Sequence, residues 1–244
     1  MKSYGFLFVL MGVCISGTVW AQGLTVTGQV AILGERRKTK RPNNADVAVW
    51  LTPINGSGTR TATGPGPHER RVQRMLQKRK RFVPHMVIIP VGGEVEFPNL
   101  DPFFHNVFSL FEGKRFDLGL YEAGSTRKVK FDRAGVCYLF CNIHPEMGAV
   151  VIVLATPYSA ISNIDGKIEI PGVSPGRYQM DMWSEKASPD ELKSLVRIVN
   201  IDENAVSLGR IQLSGENKFF EQHLNKYGAP YDSLAPSNPI YGRP

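Results

Sequence analysis

The chain has 244 residues, 42% of them hydrophobic and 21% charged, a composition that excludes a disordered polymer and allows one large or two modest domains. The 29 Lys and Arg exceed the 22 Asp and Glu, and the excess is concentrated in two clusters, at 36–41 and 70–81. Neither cluster has interleaved aromatic residues for base stacking, so we expect no nucleic-acid partner, and the clusters are either solvated loops or docking surfaces for an acidic partner.

Residues 1–21 have the features of a secretion signal. Lys2 supplies the positive start, the stretch from Phe6 to Val19 is largely apolar, and Ala21 is a small residue at the expected cleavage site. We expect export to the periplasm and no stable membrane insertion after cleavage. The alternative is an uncleaved N-terminal anchor.

Residues 22–81 are expected to form N-terminal strands and a basic linker. Apolar and polar residues alternate from Leu24 to Val30 and from Ala45 to Leu51, as they do in half-buried strands. The stretch from Arg70 to Arg81 is compatible with a short helix or an edge strand, and we favour a strand.

The rest of the chain predicts an all-β protein. Short strands separated by turns predict an antiparallel Greek-key β-sandwich over residues 82–155, with strands at Met86–Pro90, Gly93–Phe97, His105–Ser109, Thr126–Phe131, Val136–Cys141 and Ala149–Leu154. A second, smaller β-sandwich is expected over residues 156–213, with strands at Tyr158–Asn163, Lys167–Ile170, Gly176–Trp183, Val196–Ile201 and Ala205–Leu213. Residues 214–244 form an expected extended tail with a short helix around 219–224.

Cys137 and Cys141 are the two cysteines beyond the signal segment. An oxidising compartment favours a disulfide, but four residues of strand separate their Cα atoms by about 13 Å. A disulfide tolerates at most about 7 Å. Cys141 is therefore expected to stay unpaired, which suggests a metal ligand, whereas Cys137 is most simply a small buried apolar residue.

Three soft or borderline ligands lie within seven residues: Cys141, His144 and Met147. A strand that ends at Cys141 and a tight loop after it would bring the three side chains towards one point. One further imidazole would complete a plane of two His and one Cys with a weak axial Met, the donor set that suits blue copper. His105, at the start of a predicted strand, is the best candidate.

These motifs resemble the cupredoxin family. His105-Asn106-Val107 followed by Tyr138-x-x-Cys141-x-x-His144-x-x-Met147-Gly148 is similar to amicyanin-like and plastocyanin-like domains over about residues 82–154. The resemblance implies one mononuclear type 1 copper with His105, Cys141 and His144 as equatorial ligands and Met147 as axial ligand. It also implies that Asn106 does not bind the metal itself but holds the ligand loop in position.

A wider resemblance extends beyond this unit. The stretches Phe103–Phe108 and Arg115–Gly119 are similar to methylamine utilization proteins, in which a cupredoxin unit precedes a carboxypeptidase regulatory-like, transthyretin-type β-sandwich. The stretch Ile170–Tyr178 resembles a turn and strand of that second module. The resemblance implies this two-unit organisation and does not establish the pathway.

Other metal arrangements stay open. Cys137 with Cys141 resembles the dinuclear copper centre of cytochrome oxidase subunits, but His144 follows one residue too early for that motif. His85 is a candidate ligand for an additional or transient site, and its alternative is an ordinary strand histidine. No nucleophile or phosphate-binding motif is apparent, so we expect no enzymatic activity. Several carboxylates are most simply strand-edge and turn charges: Glu94, Glu96, Asp101 and Asp117.

Three functional hypotheses follow from these residues. The first is electron transfer with a redox partner protein, and the second is copper carriage in the periplasm. The third makes the second sandwich an envelope binding module, with an aromatic platform formed by Trp183, Tyr178 and Tyr158, for which core packing is the simpler use. The sequence favours the first and does not indicate an oligomeric state.

Overall fold

The computed structural model describes residues 23–34, 43–54, 72–110, 114–215 and 224–231. The predicted signal, the basic cluster at 36–41 and nearly all of the predicted tail helix lie outside these ranges. The described elements are β1 (Leu24–Ile32), β2 (Ala48–Pro53), β3 (Val72–Arg74), β4 (Leu76–Gln77), β5 (Phe82–Val83), β6 (Met86–Pro90), β7 (Gly93–Pro98), β8 (His105–Ser109), β9 (Phe116–Tyr121), β10 (Thr126–Phe131), β11 (Gly135–Phe140), β12 (Gly148–Leu154), β13 (Ser159–Ile161), β14 (Lys167–Val173), β15 (Gly176–Trp183), α1 (Pro189–Ser194), β16 (Arg197–Ile201) and β17 (Ser207–Leu213).

The first sandwich contains β3 to β12. Its larger sheet has the strand order β6-β12-β11-β8-β9, and its smaller sheet has the order β10-β7-β3. Inward-facing apolar residues from both sheets form one core, which includes Phe97, Val107, Phe131, Leu139 and Val151. Each sheet buries one face of alternating residues in this core, as sandwiches do.

The second sandwich contains β1, β2 and β13 to β17. Its sheets have the strand orders β14-β1-β17 and β13-β2-β15-β16. Alternate residues of β1 and β14, such as Val26 and Ile168, pack with Leu51 and Met180 of the opposite sheet in a second core. The alternation that predicted β1 is therefore the consequence of one face being buried.

The strand pairing differs from the predicted domain boundaries. β1 lies between β14 and β17, and β2 lies between β13 and β15, so residues 24–53 share a sandwich with residues 159–213. β3 pairs with β7 and joins the first sandwich instead of a separate N-terminal segment. The first sandwich is thus an insertion between two parts of the second, because the apolar face of β1 and β2 is buried against strands from the far end of the chain.

β6 and β12 of the first sandwich are buried on both faces, and each face packs in a different apolar cluster. Val151 and Val153 of β12 face the first core, whereas Val150 and Ile152 pack in a third cluster with Trp183 of the second sandwich. β6 alternates in the same way between the two clusters. Both strands are near-continuous apolar runs because neither face meets water. The Trp183 ring lies 5.8 Å from the Tyr138 ring, centroid to centroid, across this junction.

The predicted all-β class with two β-sandwiches is confirmed. Strand bounds match the sequence prediction within a few residues, and β3 and β4 show that the stretch near residues 72–77 is extended. β9, α1 and the two-residue strand β5 were not predicted. Among the described residues, none of the helices is long and apolar enough to cross a membrane.

Candidate metal centre

The ligand candidates come from two neighbouring strands of one sheet. His105 is the first residue of β8, Cys141 follows the last residue of β11, and β8 and β11 are antiparallel neighbours through the pair Phe108 and Phe140. The loop after Cys141 is closed by two backbone hydrogen bonds. The Cys141 N–H donates to the Met147 carbonyl at 3.2 Å, and the Met147 N–H donates to the His144 carbonyl at 3.0 Å.

Three donor atoms meet at one point. The Cys141 Sγ lies 3.9 Å from His105 Nδ1 and 3.6 Å from His144 Nδ1. One ligand atom from each of the three residues lies within 4.8 Å of the others, and all three residues are buried. The fold therefore gathers one thiol and two imidazoles that are 36 and 3 residues apart in sequence.

The His105 ring is oriented by a carboxylate that the sequence suggested to be an ordinary turn charge. His105 Nε2 lies 2.8 Å from Asp101 Oδ2, and both side chains are buried. The same carboxylate accepts hydrogen bonds from the backbone N–H groups of Arg79 and Lys80, at 2.5 and 2.9 Å. A carboxylate at Nε2 requires a proton there, which leaves Nδ1 unprotonated and able to bind a metal.

Asn99 holds the turn that carries Asp101. Its side-chain NH₂ donates to the Phe103 carbonyl at 2.8 Å, and its Oδ1 accepts from the Asp101 N–H at 3.0 Å. Asn99 is fully buried, so these bonds do not compete with water. The turn is thereby fixed between β7 and β8. Phe103, at its end, places its ring centroid 5.2 Å from that of His105 and 5.7 Å from that of His144.

Burial sets the protonation of the donor atoms. Burial lowers the pKa of His144 to about 4, and the nearby His105 adds to this effect. Burial also lowers the pKa of His105, although Asp101 opposes it, and burial raises the pKa of the Cys141 thiol. Both imidazoles are therefore neutral at neutral pH, as metal ligation requires, whereas the thiol must lose its proton when a metal binds.

In the copper-free protein, we expect the His144 imidazole to stay neutral down to about pH 4. Because the folded pKa lies below the unfolded value of about 6.5, the neutral form stabilises the fold above pH 6.5. This contribution is lost as the pH falls towards 4. Titration of the His144 ring signal by NMR measures the midpoint, and a midpoint near that of an exposed histidine would contradict the burial argument.

Replacing Asp101 with Asn should weaken copper binding about 10–100-fold, the usual cost of losing a partner of a metal-binding histidine. The carboxylate accepts three hydrogen bonds, so the new NH₂ group must face a donor. In the Oδ1 position it faces the Arg79 N–H and displaces the turn, whereas in the Oδ2 position it faces the Lys80 N–H and His105 Nε2 and drives the His105 proton to Nδ1, the atom that binds the metal. Competition with a copper chelator measures the affinity. Asp132→Asn is the control, because that carboxylate is 56% exposed, and equal losses in both variants would contradict this role.

Asn106 links the two ligand-bearing segments. Its Nδ2 donates to Asp117 Oδ1 at 2.7 Å, and its Oδ1 accepts from the Asn142 N–H at 3.2 Å. Asn106 is almost fully buried. The residue after His105 is thus tied to the residue after Cys141, which fits the supporting position that the family resemblance implies.

The other sequence candidates lie as follows. Met147 is fully buried in the first core, together with Cys141. His85 is not in the three-residue ligand cluster found among the described residues; its Nε2 lies 2.7 Å from Glu185 Oε2 in the second sandwich. Burial lowers the pKa of His85, but the hydrogen bond and charge of Glu185 raise it on balance. Cys137 is a buried free thiol that donates to Ser109 Oγ at 3.3 Å.

The aromatic residues of the second sandwich do not form a surface platform. Tyr158 and Tyr178 are buried in the second core, where their rings pack edge to face at 5.7 Å. Trp183 is only 7% exposed and packs at the junction. These residues stabilise the fold, as the simpler alternative predicted, and the platform hypothesis is wrong for them.

Comparison with known proteins gives structural neighbours only. No family model and no curated protein matches the chain. Among solved structures, the copper-containing nitrite reductase from Thermus scotoductus SA-01 aligns at 23% identity and a TM-score of 0.32, over 42% of this chain and 25% of that chain. The purple cupredoxin from Nitrosopumilus maritimus aligns at 25% identity and a TM-score of 0.30, over 33% of this chain and 98% of that chain.

A reduced Cu(I) form of an amicyanin variant aligns at 17% identity and a TM-score of 0.32, over 43% of this chain and 98% of that chain. The chain therefore spans about a quarter of the nitrite reductase and nearly all of the two small proteins.

Proposed function

We propose that the chain binds one copper ion in a mononuclear type 1 site and acts in periplasmic electron transfer, without enzymatic activity. His105, Cys141 and His144 would hold the ion, with Met147 as the weak axial ligand. The observation that supports this most is the buried cluster of one Sγ and two Nδ1 atoms. Two imidazoles and one thiolate are the donor set that suits copper in blue sites.

When bound, copper supplies one-electron exchange between Cu(I) and Cu(II). The chain contributes a rigid cage, in which Asp101 fixes the His105 ring. Burial raises the pKa of the Cys141 thiol, and backbone hydrogen bonds from Ile143, Asn106 and His144 oppose that rise. Such bonds stabilise the thiolate and set the reduction potential. The bonded loop and its packed surroundings resist movement of the ligands between oxidation states.

Copper carriage is the second candidate function, and the third is a binding role for the second sandwich. The near-complete burial of all three clustered ligands favours a held ion over a readily exchanged one, because a carrier must release its metal to a partner. Electron transfer needs only close approach to His144, which is 7% exposed.

Titration of the purified protein with Cu(II) tests the proposal. We expect one copper per chain, intense visible absorption and a narrow copper hyperfine splitting in the EPR spectrum. A colourless protein that binds only Cu(I) would instead support carriage. A protein that binds no copper would overturn both copper functions.

The redox partner that we propose is a protein with an acidic surface. Residues 78–81 form a turn of four basic residues, of which Lys78, Arg79 and Arg81 are exposed. The turn is held next to the metal centre, because the Asp101 carboxylate binds its backbone and Lys80 Nζ lies 5.6 Å from the centroid of the Phe103 ring. Positive charge there would steer an acidic partner towards His144.

We expect the double variant Lys78→Glu, Arg81→Glu to be oxidised about tenfold more slowly by hexacyanoferrate(III) at low ionic strength, and faster by a cationic cobalt complex. The control is Lys193→Glu with Arg210→Glu, which changes the net charge equally but lies in the second sandwich. Stopped-flow kinetics of the reduced copper protein measures the rates. Equal effects in both double variants would show that only net charge matters.

A further inference from the structure

A C-terminal segment lies against the ligand loop. Residues 224–231, here called the C-terminal clamp, follow an undescribed stretch after the second sandwich, yet they contact the first. The Tyr231 hydroxyl donates to the Cys141 carbonyl at 2.9 Å, and the Lys226 N–H donates to Asn142 Oδ1 at 3.0 Å. These contacts span 90 and 84 residues of sequence.

The Cys141–Asn142 peptide group is held at both of its polar atoms. Its carbonyl accepts from Tyr231, and its N–H donates to Asn106 Oδ1 at 3.2 Å. A peptide plane bonded on both edges cannot rotate without breaking one of the bonds. Since this plane begins at the Cys141 Cα, holding it restricts the backbone rotation that positions the Cα carrying the sulphur.

The same residues close a ring of hydrogen bonds. Asn142 donates to Asn106, Asn106 donates to Asp117, and Lys226 Nζ donates to Asp117 Oδ2 at 2.7 Å. The Lys226 N–H donates to Asn142 Oδ1, and this bond closes the ring. The ring therefore ties β8, β9 and the ligand loop to the clamp, and each bond holds its neighbours in place.

We infer that the C-terminal clamp positions the ligand loop, with Tyr231 and Lys226 as its positioning residues. The clamp fixes the Cys141–Asn142 peptide and thereby the distance from the sulphur to the two imidazoles before any metal binds. Its effect on the properties of bound copper rests on the proposed function, but its effect on the copper-free loop does not. The sequence predicts an extended tail for this segment. In the folded chain it would help to position the metal ligands.

The experiment compares Tyr231→Phe and Lys226→Met with Tyr227→Phe in the full mature chain. Tyr227 lies in the same clamp but is 78% exposed, and phenylalanine keeps the ring that lies 5.2 Å from Lys226 Nζ, so this variant should leave exchange at Asn142 unchanged. In the copper-free protein, we expect amide hydrogen exchange at Asn142 to be about tenfold faster in Tyr231→Phe and Lys226→Met, since the first removes a half-buried hydrogen bond and the second a charged one. Exchange at Asn142 should be faster still in a chain that ends at residue 223, and Lys226→Arg should restore slow exchange.

Copper-loaded samples give the second measurement. Tyr231→Phe should shift the visible absorption maximum and the reduction potential beyond the spread between wild type and Tyr227→Phe, with the thermal midpoint unchanged. Exchange at Asn142 that is the same in Tyr231→Phe and Tyr227→Phe would overturn the clamp. Faster exchange in a protein that binds no copper would support the clamp and refute the proposed function.

Discussion

Replacement of Cys141 with alanine should abolish the visible absorption of the copper-loaded protein and prevent stoichiometric copper binding. The thiolate is the only anionic group among the four proposed ligands, and its charge transfer to copper produces the colour of blue sites. The loss of affinity should exceed the roughly 10–100-fold cost of removing a residue that only supports a ligand. Equilibrium dialysis against a competing chelator, together with absorption spectroscopy, measures both effects.

The matched control is Cys137→Ala, four residues earlier. Cys137 is as buried as Cys141 and lies in the same core, but its sulphur bonds to Ser109 Oγ and to the Lys114 carbonyl. The variant should keep its colour and one copper per chain. If Cys137→Ala also bleaches the protein, a dinuclear centre that uses both thiols would replace the mononuclear proposal.

The ligand candidates could be found from the sequence because their chemistry is rare and their spacing is short. A thiol and an imidazole three residues apart at the end of a strand are expected to point to one region, and the predicted strand that begins at His105 offered the second imidazole. The structure brings Cys141, His144 and His105 together. The position of the Met147 thioether as axial ligand stays a prediction.

The supporting residues were harder to predict. A carboxylate in a turn, such as Asp101, is common in any protein, and its role depends on β4 and β5 bringing the N–H groups of residues 79 and 80 to the same point. Tyr231 lies 90 residues from the carbonyl that it contacts. Neither residue carries a local pattern that names its partner, so contacts of this kind are visible only in the folded chain.

Local signals were available for β9 and α1, two of the elements that the sequence did not predict. Phe116, Leu118 and Leu120 alternate with other residues along β9, as in a strand. Ser188 caps α1, with Pro189 in the first turn and Glu191 donating its backbone N–H to the Ser188 hydroxyl. A six-residue helix that buries none of its residues has no apolar period to detect, so its cap was its only sequence signal.

The insertion of one sandwich into the other could not be derived from strand patterns. Alternation in β1 shows that one face is buried, but it does not show which strand lies beside it. The continuous apolar runs of β6 and β12 were a usable signal, since strands covered on both faces lose their alternation. They indicated that something must cover the outer face of the first sandwich, and the second sandwich does so.

Replacing Trp183 with alanine should therefore destabilise both sandwiches at once. The side chain is 7% exposed, belongs to one apolar cluster with Met86, Ile88 and Val150 of the first sandwich, and lies 5.8 Å from the Tyr138 ring. Truncation of a buried Trp costs about 3–5 kcal/mol of unfolding free energy, because the lost contacts leave a cavity. Urea denaturation followed by circular dichroism measures the total loss.

Alkylation of the Cys137 thiol in urea, in a Cys141→Ala background, reports on the first sandwich alone, because that thiol is buried in the first core. Trp183→Ala lies in β15 of the second sandwich, yet it should lower the urea concentration at which Cys137 becomes reactive. Ile198→Ala in the neighbouring strand β16 is the control, since Ile198 is 47% exposed and its loss should cost no more than about 0.5 kcal/mol. An unchanged Cys137 midpoint in Trp183→Ala would mean that the two sandwiches fold independently, and the junction would then not stabilise the strands that lead into the metal centre.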